Sequence, residues 1–578
     1  MGRCLRRRRP RASRRDDRIS ALPDDLLLSV LRRLDIRTAL GTAALSRRWA
    51  RLNRELPVLS FSVESMLPPR YHRWVQLCRN IGGAIFFQYK RHAMTRELMP
   101  NITRYEHRAM RALTRSVESF LGTVARRRRV TRLRVDFFVT HNTGCLNQLI
   151  AEAIDAWGVD DLEAVAKPIY NQPGAVHSFG GHGGLCKEPS AARLQSLKLG
   201  GCVLPPLHEY GALTALVLQD IPDSTPEATY EGVFTSCLQL QVLHLISCRC
   251  SGGRGVVVDA PMSKIRELVV EKCRFRRIRL RALPSLESLA SEGIIVHLEE
   301  STSFPCLRKY NLTLCLGMTL QRFRQALSQH LKIEPETFLR RMPGITSLIL
   351  RLTGPDRWIV PSSSPSPPLL PNLRRLLVAD VPSSWDVSWP RLLLETAPSP
   401  ETLHIHIAAC VEEEPGDEIP WRHTMVRHHH HLEEFVMVGY EGTKRQTYFV
   451  KFLMGVCTVL RNVTMFRNGH ARNKGHWDWE LVTHQHLWTD EEKDDTLKHI
   501  MDGPSYHALD MPASILMHHL TLLGMAAPTS LPLEDDQALT VEGFDRDFED
   551  NSDNRGQPVT RHHFSNIVPS GSNAHVFS

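Results

Sequence analysis

The chain has 578 residues and a mass of 65.7 kDa, with 42% apolar residues, and at about 100–200 residues per domain it allows about three to five domains, or fewer if one is a repeat array. Its 72 basic and 62 acidic residues give +10, but the excess is local: residues 1–134 carry 32 basic and 10 acidic residues, 135–527 carry 37 and 43, and 528–578 carry 3 and 9. That gradient argues against a coat of positive charge spread along a nucleic acid, and no run approaches about 18 uninterrupted apolar residues, which excludes a membrane-spanning helix.

Residues 1–18 hold nine Arg with no apolar segment behind them, so they do not read as a secretory signal. The 13 Cys are scattered, odd in number and free of any C-x-x-C pair, which points to reduced thiols in the nucleus or cytoplasm. After this Arg-rich leader, Pro23 stands at the start of a helix, with Asp24 and Asp25 in its first turn and Arg32 and Arg33 in its last. Both placements suit the helix dipole. Leu26, Leu27, Val30, Leu31 and Leu34 fall on one apolar face. A second helix is predicted over Arg37–Leu45 and a third from about Ser46-Arg47-Arg48-Trp49. Three short helices cannot bury all that Leu among themselves, so the rest of the chain or a partner must cover part of the face.

The ordered series L-P-D-D-L-L-L-S-V-L-R-R-L, then R-T-A-L-G-T-A-A-L-S-R-R-W, closely resembles the plant F-box motif over residues 17–54. The resemblance implies docking onto the Skp adaptor of an SCF-type ubiquitin ligase, and through it onto a cullin and RING subunit. Carried over by position, Leu22 and Pro23 would be the entry contact, Leu26, Leu27, Val30 and Leu31 would fill the adaptor's groove, and Leu45 and Trp49 would close the second half. An amphipathic helix with closely spaced Leu anchors has the physical character of such a groove ligand.

From residue 194 the sequence repeats itself. Leu194, Leu197, Leu199 and Cys202 form L-x-x-L-x-L-x-x-C, copied by Leu240, Leu243, Leu245 and Cys248, by Ile265, Leu268, Val270 and Cys273, and by Leu307, Tyr310, Leu312 and Cys315. Weaker copies start at Leu213, Ile345 and Leu373, with partial ones around Val130, Leu286 and Leu403. The spacing, 19 to 27 residues between starts from 194 to 307, lies in the leucine-rich-repeat range. Each L-x-L is expected to be a short strand with its Leu residues in a common core and its intervening residues on the concave side. Lys198, His244, Ser247, Glu271, Lys272, Asn311 and Arg351 are the concave-face candidates for target binding, and their mixed chemistry suits a protein better than a phosphate. The recurring Cys needs only to be small, buried and apolar, and Cys248-Arg249-Cys250 lacks zinc-site spacing.

Two Gly/Pro-rich stretches, 167–189 and 361–371, read as long loops. Ser178–Gly184 lacks the Gly-Lys-Ser/Thr ending of a phosphate loop. Arg126–Arg129, with Arg132 and Arg134, forms a second basic cluster. From Trp421 the texture changes: a strand from the His428–His431 run through Leu432–Val438, a turn, a helix over about Gln446–Thr458, and a strand over Leu460–Phe466. This order resembles the FBD block that ends many plant F-box/repeat proteins, over about residues 425–505. A contiguous His run in a strand alternates sides, so it does not converge on a metal, and Trp477 and Trp479 read as core. Beyond Pro528 the chain is acidic and reads as disordered.

The sequence thus leads to an α/β protein: an Arg-rich leader (1–16), a three-helix F-box (17–54), a linking segment (55–124), an irregular leucine-rich-repeat solenoid of short parallel strands with helices and loops on its convex side (125–424), an FBD-like α/β block capping it (425–505), and an extension (506–578). The expected function is a non-catalytic substrate receptor that binds the Skp adaptor and an unidentified protein target, with no cofactor, metal, membrane or nucleic-acid partner. An alternative remains at this point: a non-ligase nuclear scaffold using its basic front and its repeats.

Overall fold

A computed structural model of the chain describes residues 19, 22–34, 36–53, 55–81, 88–122, 130–180, 184–299, 304–315, 342–353, 370–382, 391, 393–394, 396–408, 428–483, 488–501 and 520–522. The Arg-rich leader, Arg126–Arg129, most of the 361–371 stretch and the acidic extension beyond Pro528 lie outside the described residues.

The first helices are α1 (Asp24–Leu31), α2 (Ile36–Gly41) and α3 (Arg47–Asn53), followed by α4 (Pro69–Ile81) and the long α5 (Gln88–Leu121). The dominant element is one sheet of fifteen strands whose hydrogen-bonded neighbours all run parallel. It starts with β1 (Val58–Ser62), β2 (Arg132–Phe138), β3 (Asp161–Lys167), β4 (Ser196–Gly200), β5 (Ala215–Gln219) and β6 (Val242–Ile246). Here the chain alternates between two sheets. β7 (Val256–Asp259), β9 (Ile278–Ala282) and β11 (Val296–Leu298) form a separate three-stranded sheet, whereas β8 (Glu267–Glu271), β10 (Ser288–Glu292) and β12 (Lys309–Cys315) continue the large one. β13 (Ser347–Thr353), β14 (Arg375–Pro382), β15 (Thr402–Ala408), β16 (Glu434–Val438) and β17 (Asn462–Phe466) follow. An antiparallel hairpin of β18 (Gly469–Asn473) and β19 (Trp479–Thr483) then stands apart, and β20 (Leu520–Leu522) ends the large sheet. Helices α6 (Gly144–Asp155), α7 (Glu227–Ser236), α8 (Lys444–Val456) and α9 (Asp490–Met501) lie between strands in sequence.

The repeat pattern maps directly onto this sheet. Leu197, Leu216, Leu243, Leu268, Leu289 and Tyr310 pair in one continuous row across β4 to β12, and Leu199, Leu218, Leu245 and Val270 form the next row. All are buried in a single core. A parallel sheet needs a crossover between strands, and the 19–27-residue repeat supplies one. Of the recurring thiols, Cys202, Cys248 and Cys273 are buried as expected: Cys248 Sγ donates to the Leu218 carbonyl at 3.2 Å and Cys273 Sγ to the Leu245 carbonyl at 3.3 Å. Burial holds the Cys202 thiol up at about 12, which removes it as a nucleophile at neutral pH.

Six strands, β4, β5, β6, β8, β10 and β16, end in the same way. Gly201, Asp220, Ser247, Lys272, Gly293 and Gly439 all have φ between 50° and 82°, and each donates its N–H to the carbonyl of Gln219, Ile246, Glu271, Glu292, Thr313 and Phe466, respectively. The left-handed residue turns the chain out of the sheet while its N–H still serves the next strand. At Gly201 the need for glycine is absolute, because a Cβ would sit 2.1 Å from the Ala166 carbonyl oxygen.

The large sheet reaches beyond residues 125–424 at both ends. β1, within the presumed linking segment, is the first strand of the large sheet, pairing Leu59 with Leu133. The C-terminal strands β16 and β17 extend the same sheet through Leu403–Phe435 and Phe435–Val463 pairs. The helix between them starts at Lys444, two residues before the expected Gln446, because Thr443 and Gln446 form a capping box: Thr443 Oγ1 accepts from the Gln446 N–H and Gln446 Oε1 accepts from the Thr443 N–H. The T-K-R-Q sequence carries that signal.

Candidate functional site

The N-terminal helices present two apolar faces. Leu27, Leu28 and Leu31 of α1 are buried with Ala39, Trp49 and Leu52 in the main core. On the opposite side, Leu26, Val30 and Leu34, spaced by four residues, are 52%, 44% and 37% exposed, with Ile19 at 60% and Leu45 at 69% beside them in sequence order. Leu22 is half-buried and Pro23 exposed. Of the residues expected to fill a partner's groove, therefore, Leu26, Val30 and Leu45 are exposed, whereas Leu27, Leu31 and Trp49 pack inside this chain.

Polar contacts fix the module. Asp24 accepts from Arg48 Nε at 2.6 Å and from Arg51 Nη2 at 2.8 Å, and Arg48 also donates to the Leu22 carbonyl. The start of α1 is thereby tied to α3 across 24 residues. The Arg48 hydrogen bond holds the Asp24 carboxyl below its usual range. Reading Asp24 only against the helix dipole misses this clamp; the signal available is the co-occurrence of D-D and S-R-R-W. Asn53 donates to Thr42 Oγ1, and Thr42 Oγ1 to the Ala39 carbonyl, which joins α2 to α3.

The second surface is the face of the large sheet opposite the core. Residues between the core positions line it, and their charges pair across strands: Arg132 with Asp161 at 2.6 Å, Arg134 with Glu163 at 2.8 Å, and His244 with Glu267 at 2.7 Å. His244 and the burial-opposed hydrogen bonding around it hold Glu267 below the usual carboxylate range. Lys198 sits half-buried on β4. Ser247 and Lys272 are strand-ending, left-handed residues, and Lys272 Nζ bridges Glu271 at 2.9 Å and Glu292 at 3.0 Å.

Further along, the chain covers this face with its own β18–β19 hairpin. Trp479, Ala471 and Leu481 pack on Ile349, Leu377 and Ala379. Asn311 Nδ2 donates to the His476 carbonyl at 2.9 Å, and Arg351 Nη2 donates to the Ala471 carbonyl at 2.7 Å while Nη1 reaches Asp380 at 2.7 Å. Arg375 pairs with Asp478 at 2.7 Å and lies 4.4 Å over the Trp479 ring. Trp479 Nε1 donates to His404 Nδ1 at 2.8 Å, which leaves the His404 Nε2 proton facing Glu434 at 3.1 Å. Burial pushes His404 below its ordinary value, in keeping with that neutral tautomer. Asn311 and Arg351 are thus engaged by the chain itself, and Trp479 is core as predicted. At the hairpin tip a small cleft opens between Glu271, Glu292, Asn311, Thr313 and His476.

Among the described residues no cluster of His, Cys, Asp and Glu has the arrangement to hold a metal ion, and no helix is long and apolar enough to cross a membrane. The His run alternates: His429 is buried, its ring pushed down to about 4 by burial, while His428, His430 and His431 are exposed. A buried carboxylate absent from the sequence reading, Glu106 of α5, accepts from Tyr71 Oη at 2.9 Å and from the Tyr170 N–H, and burial raises it above the usual carboxylate range.

Comparison with known proteins bears on the helical module. The F-box domain family matches residues 19–52. The chain is 37% identical over 67 residues to an F-box/FBD/LRR-repeat protein of Arabidopsis thaliana, covering 12% of this chain and 14% of the relative. It is 39% identical over 59 residues to a second such protein of the same plant, covering 10% and 13%. The chain thus matches only about a seventh of the length of these relatives. The helical module with its clamped start and exposed outer face is an F-box domain, and the proteins it resembles are plant F-box/FBD/LRR-repeat proteins.

Proposed function

We propose that this chain is the substrate-receptor subunit of an SCF-type ubiquitin ligase, acting in the nucleus or cytoplasm. The observation that carries the proposal is the outer face of α1: Leu26 and Val30, with Ile19, Leu34 and Leu45, expose large apolar side chains that the chain's own core does not take up. Exposed apolar residues aligned on one helix face mark a protein-binding surface. The Skp adaptor is the partner that an F-box implies, reached through it are a cullin and a RING subunit, and Leu22 and Pro23 form the entry contact. On this reading Leu27, Leu31 and Trp49 support the docking face from behind.

The parallel strands with one buried L-x-L each, the recurring buried Cys and the left-handed strand ends support a leucine-rich-repeat array, and the β16–α8–β17 order supports an FBD-like end to it. The array would present a protein target on the face opposite the core, along the stretch that includes Lys198, His244, Glu271 and Lys272, at whose edge the hairpin tip sets His476 against His244. The chain needs no catalytic residue in this role. It raises the effective concentration of a target lysine near a ubiquitin thioester held by another subunit. Co-purification tests the docking: Leu26→Ala with Val30→Ala removes capture of a Skp adaptor while the thermal midpoint stays in place. Undiminished capture by that variant overturns the assignment.

A further inference from the structure

Residues 249–281 hold ten basic and three acidic residues, inside a stretch, 135–527, in which acids outnumber bases. Regional averaging hides this island. The structure concentrates it on the small β7–β9–β11 sheet. Along β9, Ile278 and Leu280 are buried in the core while Arg277 and Arg281 are exposed and Arg279 is half-buried between them, so the arginines share the outward face. Arg279 is in register with Val257 of β7 and His297 of β11. The two loops that enter these strands add Arg249, Arg254 and Arg274, all exposed, and a parallel bridge sets Arg249 directly beside Arg274.

Elsewhere on the array arginines are neutralised by an acid one strand on: Arg132 by Asp161, Arg266 by Glu287, Arg374 by Glu401. On this face Asp259, exposed at the end of β7, pairs with none of the arginines, and the other acids are committed. Glu227 and Glu231 accept the N–H groups of Gly255 and Val257 at 2.7 and 2.9 Å, and Glu299 takes Arg281 at 2.9 Å. Arg249, Arg254, Arg274, Arg277 and Arg279 have no acidic partner among the described residues, and the Arg279 Nε is buried without a hydrogen-bond acceptor. Like charges set side by side cost stability, and a guanidinium is built to take a carboxylate in its planar fork.

We propose that the outward face of the β7–β9–β11 sheet binds an acidic segment of a partner protein, rich in Asp and Glu. A protein is favoured over a nucleic acid on two grounds. Phe275 and Tyr230, the aromatics beside the arginines, are buried and offer no stacking platform for bases. A short acidic segment also needs only the local patch, whose field reaches about one Debye length, about 8 Å. This surface is separate from the F-box face and from the array face opposite the core, and the proposal does not depend on ligase assembly.

The test is fluorescence anisotropy of the full-length protein with a labelled polyglutamate peptide, and in parallel with an oligothymidylate of equal length. The expected result is salt-sensitive peptide binding that weakens about tenfold in the triple variant Arg254→Glu, Arg274→Glu, Arg277→Glu and is unchanged in Arg132→Glu with Arg134→Glu. The triple Arg→Gln variant at the same positions serves if the Glu variant does not fold, and its peptide binding should weaken in the same direction. Absence of peptide binding at low salt, binding untouched by these variants, or tighter binding of the oligonucleotide overturns the proposal.

Discussion

The outer face of α1 and the outer face of β13 and β14 are both apolar, yet only the second has a cover within the chain. Ile349, Leu377 and Ala379 are sealed by Trp479, Ala471 and Leu481 of the hairpin, with Arg351 and His404 fixing it through hydrogen bonds and Asp380 holding Arg351. Leu26, Val30 and Leu34 meet nothing comparable. The difference shows how the same chemistry serves two ends. Where side chains on a sheet face are apolar and permanently wet, folding supplies a lid; where a helix face must stay available to another molecule, the chain anchors the helix from behind and leaves the front open. The clamp from Asp24 to Arg48 and Arg51 belongs to that second design: it holds α1 in place without contributing to its exposed front.

The sharpest probe of that contrast lies on α1 itself. Leu27→Ala and Leu31→Ala open a cavity behind the helix and should cost about 2–5 kcal/mol each in denaturant unfolding. A loss no larger than at an exposed site would show that the inner face is not anchored. Next is the lid: Trp479→Ala removes the ring that covers Leu377 and the donor to His404, at a cost of about 2–4 kcal/mol. Amide exchange should then rise in β18 and β19, with β4 to β6 unaffected. Exchange rising equally throughout would mean that the hairpin is integral to the sheet and not a separate cover.

A smaller effect is expected from acid. Burial raises the Asp380 carboxyl, but hydrogen bonds and charge from His406 and Arg351 outweigh it and hold it below its ordinary value. A depressed carboxylate contributes stability that is complete above its unfolded value of 3.8 and is lost as pH falls through the lower, folded value. The hairpin should therefore loosen below about pH 4, read by exchange in β18, and Asp380→Asn should flatten that dependence. The smallest change in stability is predicted for Leu26→Ala with Val30→Ala, within about 0.5 kcal/mol, together with loss of adaptor capture. A large destabilisation there would mean that the outer face is structural after all.

Much of this was legible from residue order alone. Leucine periodicity locates the strands because a buried row in a parallel sheet admits only apolar side chains at fixed spacing, and Leu194, Leu197 and Leu199 declare it directly. The F-box helices follow from apolar stripes and charge at their ends. Other features depend on which distant residues meet. Helical spacing groups Leu26 with Leu27 and Val30 with Leu31, and only packing against Trp49 and Leu52 separates the buried pair from the exposed one. The lid was illegible because its contacts, Asn311 to His476 and Arg351 to Ala471, span more than a hundred residues and use backbone carbonyls, which leave no trace in side-chain pattern. The role of Lys272 was hidden for a related reason: its position demands a left-handed backbone, and Gly201, Asp220 and Ser247 meet the same demand with different side chains.

That turn has a bearing on how such a chain can change. Because each of these six strands is closed by one residue whose N–H is spent on the neighbouring strand, whatever follows is released from the sheet before it begins. A connection can then be short, as between β4 and β5, or carry an extra strand, as between β6 and β8, without shifting the pairing of Leu199 with Leu218 or Leu245 with Val270. Insertions and deletions in the connections are thereby uncoupled from the alignment of the core, so the outer side of the array is free to diversify while its interior stays in step.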